Sequence, residues 1–286
     1  MKKGKIITVS SGKGGVGKSM VETMSLHTEG DLATLAKPRT VGYFLAGVLG
    51  RELTTASEID GKQKHLFFPI GNKESDHLPS WSFTIDRGIK PLSYTGVKFG
   101  SVSFSAAAED RLQLTLSTSG RSEDENGEIS DDLKVEDARA FKFHQAAVKM
   151  DGEKVADITS INFDYNNNLD TSLFTTDTGL YCKEPEAGQR ECTAKFEALY
   201  TKDTEAIRNG KFKTDAIVEI EIEFKDTENN ALIFRIPVGQ ISEMETPTAS
   251  GADTMKTSLT VSAVDDLTSD YVRIELYNEE AGSYLE

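Results

Sequence analysis

The sequence predicts an all-β protein, a β-sandwich or barrel with a minor flanking helix and a composition break that would divide it into two β-rich halves. Three observations predict it. Apolar residues recur at every second position in several runs, as in a strand with one buried and one wet face. In Val97-Lys98-Phe99-Gly100-Ser101-Val102-Ser103-Phe104 the apolar phase flips after Gly100, which is what a bulge does when it adds one residue to a strand. Turn-forming clusters then separate the runs at short intervals: Asp86-Arg87-Gly88, Asn166-Asn167-Asn168, Asp177-Thr178-Gly179, Asn209-Gly210 and Glu228-Asn229-Asn230.

Taken from the N-terminus, Ile6-Ile7-Thr8-Val9 reads as a short strand inside a basic arm, residues 1–21. Residues 20 to 36 read as a helix, weakened by Gly30. In the first β-rich half, 22–118, Leu112, Leu114 and Leu116 alternate with Gln113, Thr115 and Ser117. Residues 119–137 are acidic, carry Gly and Ser, and have little to bury, so they predict a linker or a long exposed loop. The second half, 138–286, opens its helical content with Asp203 to Gly210: a capping residue, a short Glu-Ala-Ile-Arg body and a Gly stop. After it, Ile220, Ile222 and Phe224 alternate with Glu219, Glu221 and Glu223, and Val272, Ile274 and Leu276 alternate with Arg273, Glu275 and Tyr277.

A net charge of -15 argues against a surface that grips nucleic acid, because neutralising phosphates takes clustered Lys and Arg. The mean hydropathy of -0.39 describes a surface-rich chain. No apolar run approaches the roughly 20 residues of a membrane-spanning helix, and the apolar stretch after the N-terminal lysines is too short for a signal peptide. The expectation is therefore synthesis and folding in a cytoplasm, with no membrane partner. Cys182 and Cys192 flank a loop containing Pro185 and Gly188, a spacing compatible with a bridge at its neck or with two separate thiols. His27, His65, His77 and His144 form no spaced cluster, so no metal is expected. Trp81, beside Leu78-Pro79, could stack a sugar but reads first as core or interface. Asp164, Asp170 and Asp177 lack the spacing of a calcium loop and read as turn formers.

Gly12-Lys13-Gly14-Gly15-Val16-Gly17-Lys18-Ser19 fits the phosphate-binding pattern G-x-x-x-x-G-K-[ST], with Ile6–Val9 as the preceding strand. Residues 3–19 resemble the deviant phosphate loop of the Min and Par partition ATPases. If that resemblance carried function, Gly12, Lys13, Gly17, Lys18 and Ser19 would hold nucleotide and magnesium. Past Ser19, however, no apolar strand ends in Asp at the expected place, and the chain has none of the β/α alternation those enzymes need. The expectation is no catalytic residue, no cofactor and no enzyme, the loop being a coincidental basic arm or a foreign segment.

From residue 22 onward a second resemblance covers most of the chain. Glu22-Thr23-Met24-Ser25-Leu26, Glu29-Gly30-Asp31-Leu32 and Arg39-Thr40-Val41-Gly42-Tyr43-Phe44-Leu45 lead to Leu49-Gly50, His65-Leu66-Phe67 and Leu78-Pro79-Ser80-Trp81-Ser82-Phe83-Thr84. Gly88, Tyr94-Thr95-Gly96-Val97-Lys98, the Leu112–Leu116 run and Gly120 follow. In order and spacing these pieces resemble the tail tube proteins of long-tailed bacteriophages, over roughly residues 22 to 240. The resemblance implies a structural subunit that closes into rings with copies of itself, stacks into a tube, meets other tail proteins, and lets DNA pass without specific binding. It also implies a virion tail location after assembly in the host cytoplasm. A nucleotide hydrolase of the Min/Par type and a carbohydrate-binding or adhesive β-sandwich are the competing classes. For the channel wall, Glu219, Glu221 and Glu223 are the candidates: they form a carboxylate row opposite buried Ile220, Ile222 and Phe224.

Overall fold

The computed structural model describes residues 6–10, 28–59, 61–71, 77–86, 88–124, 127–129, 136–171, 183–245, 255–266 and 270–285. The phosphate-loop residues Gly12, Lys13, Gly17, Lys18 and Ser19, with Cys182, Asp177 and the Asp177-Thr178-Gly179 turn, lie outside them. The fold is mostly antiparallel sheet with two short helices, as the alternation predicts.

One wall of the sheet contains β2 (Thr28–Leu35), β7 (Gln113–Gly120), β6 (Pro91–Ala107), β11 (Ile158–Asn166), β12 (Glu191–Leu199) and β15 (Lys256–Ala263), paired in that order. β15 pairs with the far half of β14 (Ala231–Met244). β14 then pairs along its other edge with β13 (Ile217–Lys225), which leads to β9 (Ala146–Met150) and the short β10 (Glu153–Lys154). The near half of β14 is flanked instead by β16 (Arg273–Asn278), then β4 (Gln63–Pro69) and β3 (Gly50–Ala56). Because β14 takes β16 beside one half and β15 beside the other, the sheet branches there and folds back over itself. Phe234 on β14 meets Phe104 on β6 at 4.8 Å and Phe163 on β11 at 4.6 Å between ring centroids, so opposite walls touch through aromatic rings. Strands from 22–118 thus pair directly with strands from 138–286, β6 with β11 and β4 with β16.

The 17-residue β6 bends to serve a second layer, where its first half pairs with β5 (Trp81–Asp86) and β8 (Ser122–Asp124). The register with β7 shifts between Phe99 and Ser101, the bulge that the phase flip at Gly100 predicts. β8 lies within the acidic stretch expected to be a linker or loop, so part of that stretch is strand. Glu136, from the same stretch, accepts the Arg39 and Thr40 backbone N–H groups at 2.8 Å each and the Thr40 hydroxyl. It thereby caps α1 (Thr40–Leu49), where no side chain of the helix itself does so, and places a negative charge at the positive end of the dipole.

Helix α1 was not legible in the sequence, because Val41, Phe44, Leu45, Val48 and Leu49 are buried all round it and leave no amphipathic stripe. It ends at Gly50, whose φ of 81° suits glycine. The helix expected over 20 to 36 is corrected: residues 28–35 are strand β2, in which Glu29, Asp31 and Ala33 face out. Its inward positions include Gly30 and Thr34, which carry no apolar signal, so the period of two was hidden. The second helix, α2, spans Lys202–Ile207 rather than starting at Asp203, and its cap is Thr201, whose backbone N–H donates to Thr204 Oγ1 at 2.8 Å. Asn209-Gly210 does not stop it: the chain continues through a π-turn, Arg208–Phe212.

Candidate functional site

Antiparallel pairing places directly opposed residues on the same face, so the registers define what each side of the sheet presents. Toward the core, β6, β11 and β12 turn Phe104, Phe163 and Phe196, all buried. Away from it, β6 turns Ser101, Ser103 and Ser105, opposite Ser117, Thr115 and Gln113 on β7. On its other edge those serines face Asn166, Asp164 and Asn162 of β11. The rows continue to Glu191, Thr193 and Lys195 on β12 and then to Ser262 and Thr260 on β15. Across these five strands the outward face over these residues is hydroxyl and amide, with no aromatic or aliphatic side chain. Its charges are Asp164, Glu191, Glu197, Lys195 and Lys256, and β2 extends it with Glu29 and Asp31.

The other outward face, over β9, β13, β14, β16 and β4, is built differently. It carries the Glu219, Glu221 and Glu223 row, and the alternation with buried Ile220, Ile222 and Phe224 is as predicted. Glu221 is not a free carboxylate. It accepts from Lys149 Nζ at 2.7 Å and from Arg235, and Arg235 Nε reaches Glu275 at 3.0 Å. Glu275 also pairs with Lys64 at 2.9 Å and Arg273 at 3.2 Å. Burial raises the Glu275 carboxyl, but the bonds from Lys64 and the charge of Arg235 outweigh it and hold the group below its ordinary value. This face is therefore a charge ladder crossing five strands, in which Lys149, Arg235, Arg273 and Lys64 stand among the acids.

The remaining candidates fall elsewhere. Trp81 is a core residue, stacked on Phe99 with centroids 5.8 Å apart. His65 is buried in contact with Glu52 while His77 and His144 are exposed, so the structure does not bring them together. Cys192 is fully buried, which pushes its thiol well up. Asp164, read as a turn former, is corrected: it lies within strand β11, paired with Ser103, while Asp170 forms a β-bridge with Glu186 and the turn after β11 is made by Asn168, which donates its N–H to Asn166 Oδ1 at 2.8 Å. Among the described residues no group of His, Cys, Asp and Glu is placed to hold a metal. The strand expected before the phosphate loop exists as β1 (Ile6–Ser10), and it pairs parallel to β5 with Ser10 opposite Asp86. The Asp86 carboxylate accepts the Gly88 N–H at 2.7 Å, a turn-forming role.

The hydroxyl face escaped sequence reading because Ser, Thr and Asn carry no motif; only the strand registers assemble them into one surface. A folded-back antiparallel sheet with an extensive polar face defines the class as a mostly β protein. A family model for the phage tail tube protein matches residues 18–263, and the chain belongs to that family. It is accordingly a structural component of the virion tail, in a family that assembles with itself and with other tail components. No curated protein matches it.

Proposed function

We propose that this chain closes into rings that stack into a tube, and that the hydroxyl-rich face of β7, β6, β11, β12 and β15 forms the wall of the channel through which DNA passes. The observation that carries the reading is the composition of that face. Phosphate meets carboxylates and neutral hydroxyls with two lysines among the described residues of this face, Lys195 and, at the start of β15, Lys256, so little counterion release rewards binding. Bases find no aromatic ring to stack on. The Glu219, Glu221 and Glu223 row remains the alternative wall, but its face also carries Lys149, Arg235 and Arg273, cations that would hold phosphate. Ring closure is supported by β2 and β3, which among the described strands pair on one edge only, with β7 and β4. Unpaired strand edges are a hazard for a monomer and a means of joining copies in a polymer.

Two experiments test this reading. Electron microscopy of the purified protein at rising concentration is expected to show hollow tubes, and a protein that stays monomeric throughout contradicts self-assembly. Tubes carrying Ser103→Lys and Thr115→Lys are expected to assemble but deliver DNA poorly, whereas Glu219→Lys tubes deliver it normally; the reverse ranking moves the wall to the glutamate row.

One observation favours a nucleotide site: the parallel pairing of β1 with β5 sets an acid, Asp86, beside the strand that precedes the phosphate-loop sequence. Against it, every other strand pairing among the described residues is antiparallel. The expected outcome is no ATP hydrolysis above background, and turnover abolished by Lys18→Ala would establish the enzyme instead.

A further inference from the structure

The last residues of the described chain, 279–285, lie beyond the segment that the family model matches and close over α1, β3 and β4. Their anchor is Tyr284, 1% exposed. Its ring stands edge-on to Tyr43 at 4.8 Å and to His65 at 4.9 Å, and a Cβ on Gly42 would come within 2.2 Å of it. Asn278 Nδ2 donates to its hydroxyl at 2.7 Å.

Two ion pairs, Lys62 with Glu279 at 3.1 Å and Arg39 with Glu280 at 2.9 Å, hold the first residues of this segment, and the polar fixings of the rest converge on one buried pair. The Glu52 side chain is 1% exposed and the His65 ring 0%, with Oε1 and Nδ1 2.9 Å apart. Glu52 Oε2 accepts Ser283 Oγ and the Tyr284 N–H at 2.7 Å each. On the far side of the ring, His65 Nε2 lies 3.1 Å from the Glu280 carbonyl oxygen. A carbonyl only accepts, so Nε2 carries a hydrogen. A second proton must then lie between Nδ1 and Glu52, one more than a neutral imidazole and a carboxylate supply together. If that proton is lost, two lone pairs face each other at Nδ1, or the ring hydrogen moves to Nδ1 and the Glu280 carbonyl faces a lone pair instead. Thr54 Oγ1, 3.1 Å from Nδ1, already donates to Glu52 Oε1 at 2.9 Å and cannot satisfy both. The second result removes the bond to the Glu280 carbonyl outright, and the first drives His65 from the Glu52 carboxylate that holds Ser283 and Tyr284, so both loosen the seat of the C-terminal segment.

We propose that residues 279–285 are a proton-held strap, docked across α1 and β3 while the His65–Glu52 pair keeps its proton and released when that proton leaves. The other charged and titratable groups around the pair leave it as the responsive one. The Glu280 carboxylate is turned to Arg39 at 2.9 Å, Tyr43 of α1 stands edge-on to Tyr284, and β16 presents Leu276, paired with His65. The neighbouring Glu275 and Lys64 pair with each other on the opposite face. The sign follows from proton count: the docked state binds one proton more than the released state, so rising pH favours release. Burial raises the Glu52 carboxyl, yet the bonds from His65, Ser283 and Thr54 outweigh it and leave it below its ordinary value, so the strap stays docked through the ordinary carboxylate range.

The test is hydrogen exchange of the full-length chain by mass spectrometry, corrected for intrinsic rates, between about pH 6 and about pH 9. The expected result is a gain of roughly tenfold or more in exchange of the 279–285 peptide, with peptides from β11 and β12 unchanged. The same step should be absent in His65→Gln. Equal protection across the range, or a step that survives His65→Gln, overturns the proposal. Should His65→Gln fail to fold, nitrogen NMR of histidine-labelled wild-type protein decides. A buried ring protonated on both nitrogens near neutral pH, or a hydrogen shared with Glu52, supports the strap. A ring with a bare Nε2 contradicts it.

Discussion

At the scale of single residues, the side chains that matter most are carboxylates that the alternation alone would send to water. Glu221 is the middle of the row read as a free acidic strip, and only the structure reveals Lys149 and Arg235 beside it. Putting a lysine there would leave three cations together. Glu221→Lys is therefore expected to lower stability by roughly 1–3 kcal/mol in chemical denaturation, while exposed Glu219→Lys stays within about 0.5 kcal/mol. Equal effects at the two positions would mean that the ladder contributes nothing. Glu52 and Glu275 share a second consequence, since both are held below the ordinary carboxylate value. A depressed group adds stability that is fully present above its unfolded value and lost as pH falls through its folded value. Denaturation midpoints should thus decline below the ordinary carboxylate range, and Glu275→Gln should shallow that decline; an unchanged acid limb in the variant would remove Glu275 from the account.

At the scale of elements, legibility followed burial geometry. Strands with one wet face, such as β7 and β13, announced themselves because Leu114 or Ile222 sits between polar neighbours, and the bulge at Gly100 was readable because the phase reversed. The helix α1 was not, since a helix buried on every side has no stripe, and neither was β2, whose inward Gly30 and Thr34 mimic polarity. The hydroxyl face was invisible for a third reason: which serine stands beside which asparagine depends on pairing between strands more than 50 residues apart, as with Ser105 and Asn162. The element on which this architecture turns is β14, where two branches of the sheet meet. Phe234→Ala removes the ring that joins β14 to β6 and β11 and is expected to cost about 3–5 kcal/mol. A loss under about 1 kcal/mol would imply that the opposing walls are held mainly elsewhere.

At the scale of the whole molecule, the two outward faces divide the chemistry of a tube subunit between them. One is the face proposed to border DNA, and the other carries a charge ladder spanning five strands. Cryo-electron microscopy of assembled tubes tests the central claim most directly, because it fixes which face borders the bore. The account predicts Ser103, Thr115 and Asn162 on the inner wall, with Arg235 and Glu275 turned away from it. A map with the Glu221–Arg235 ladder on the bore, or with Ser103 and Thr115 on the outer surface, would contradict it.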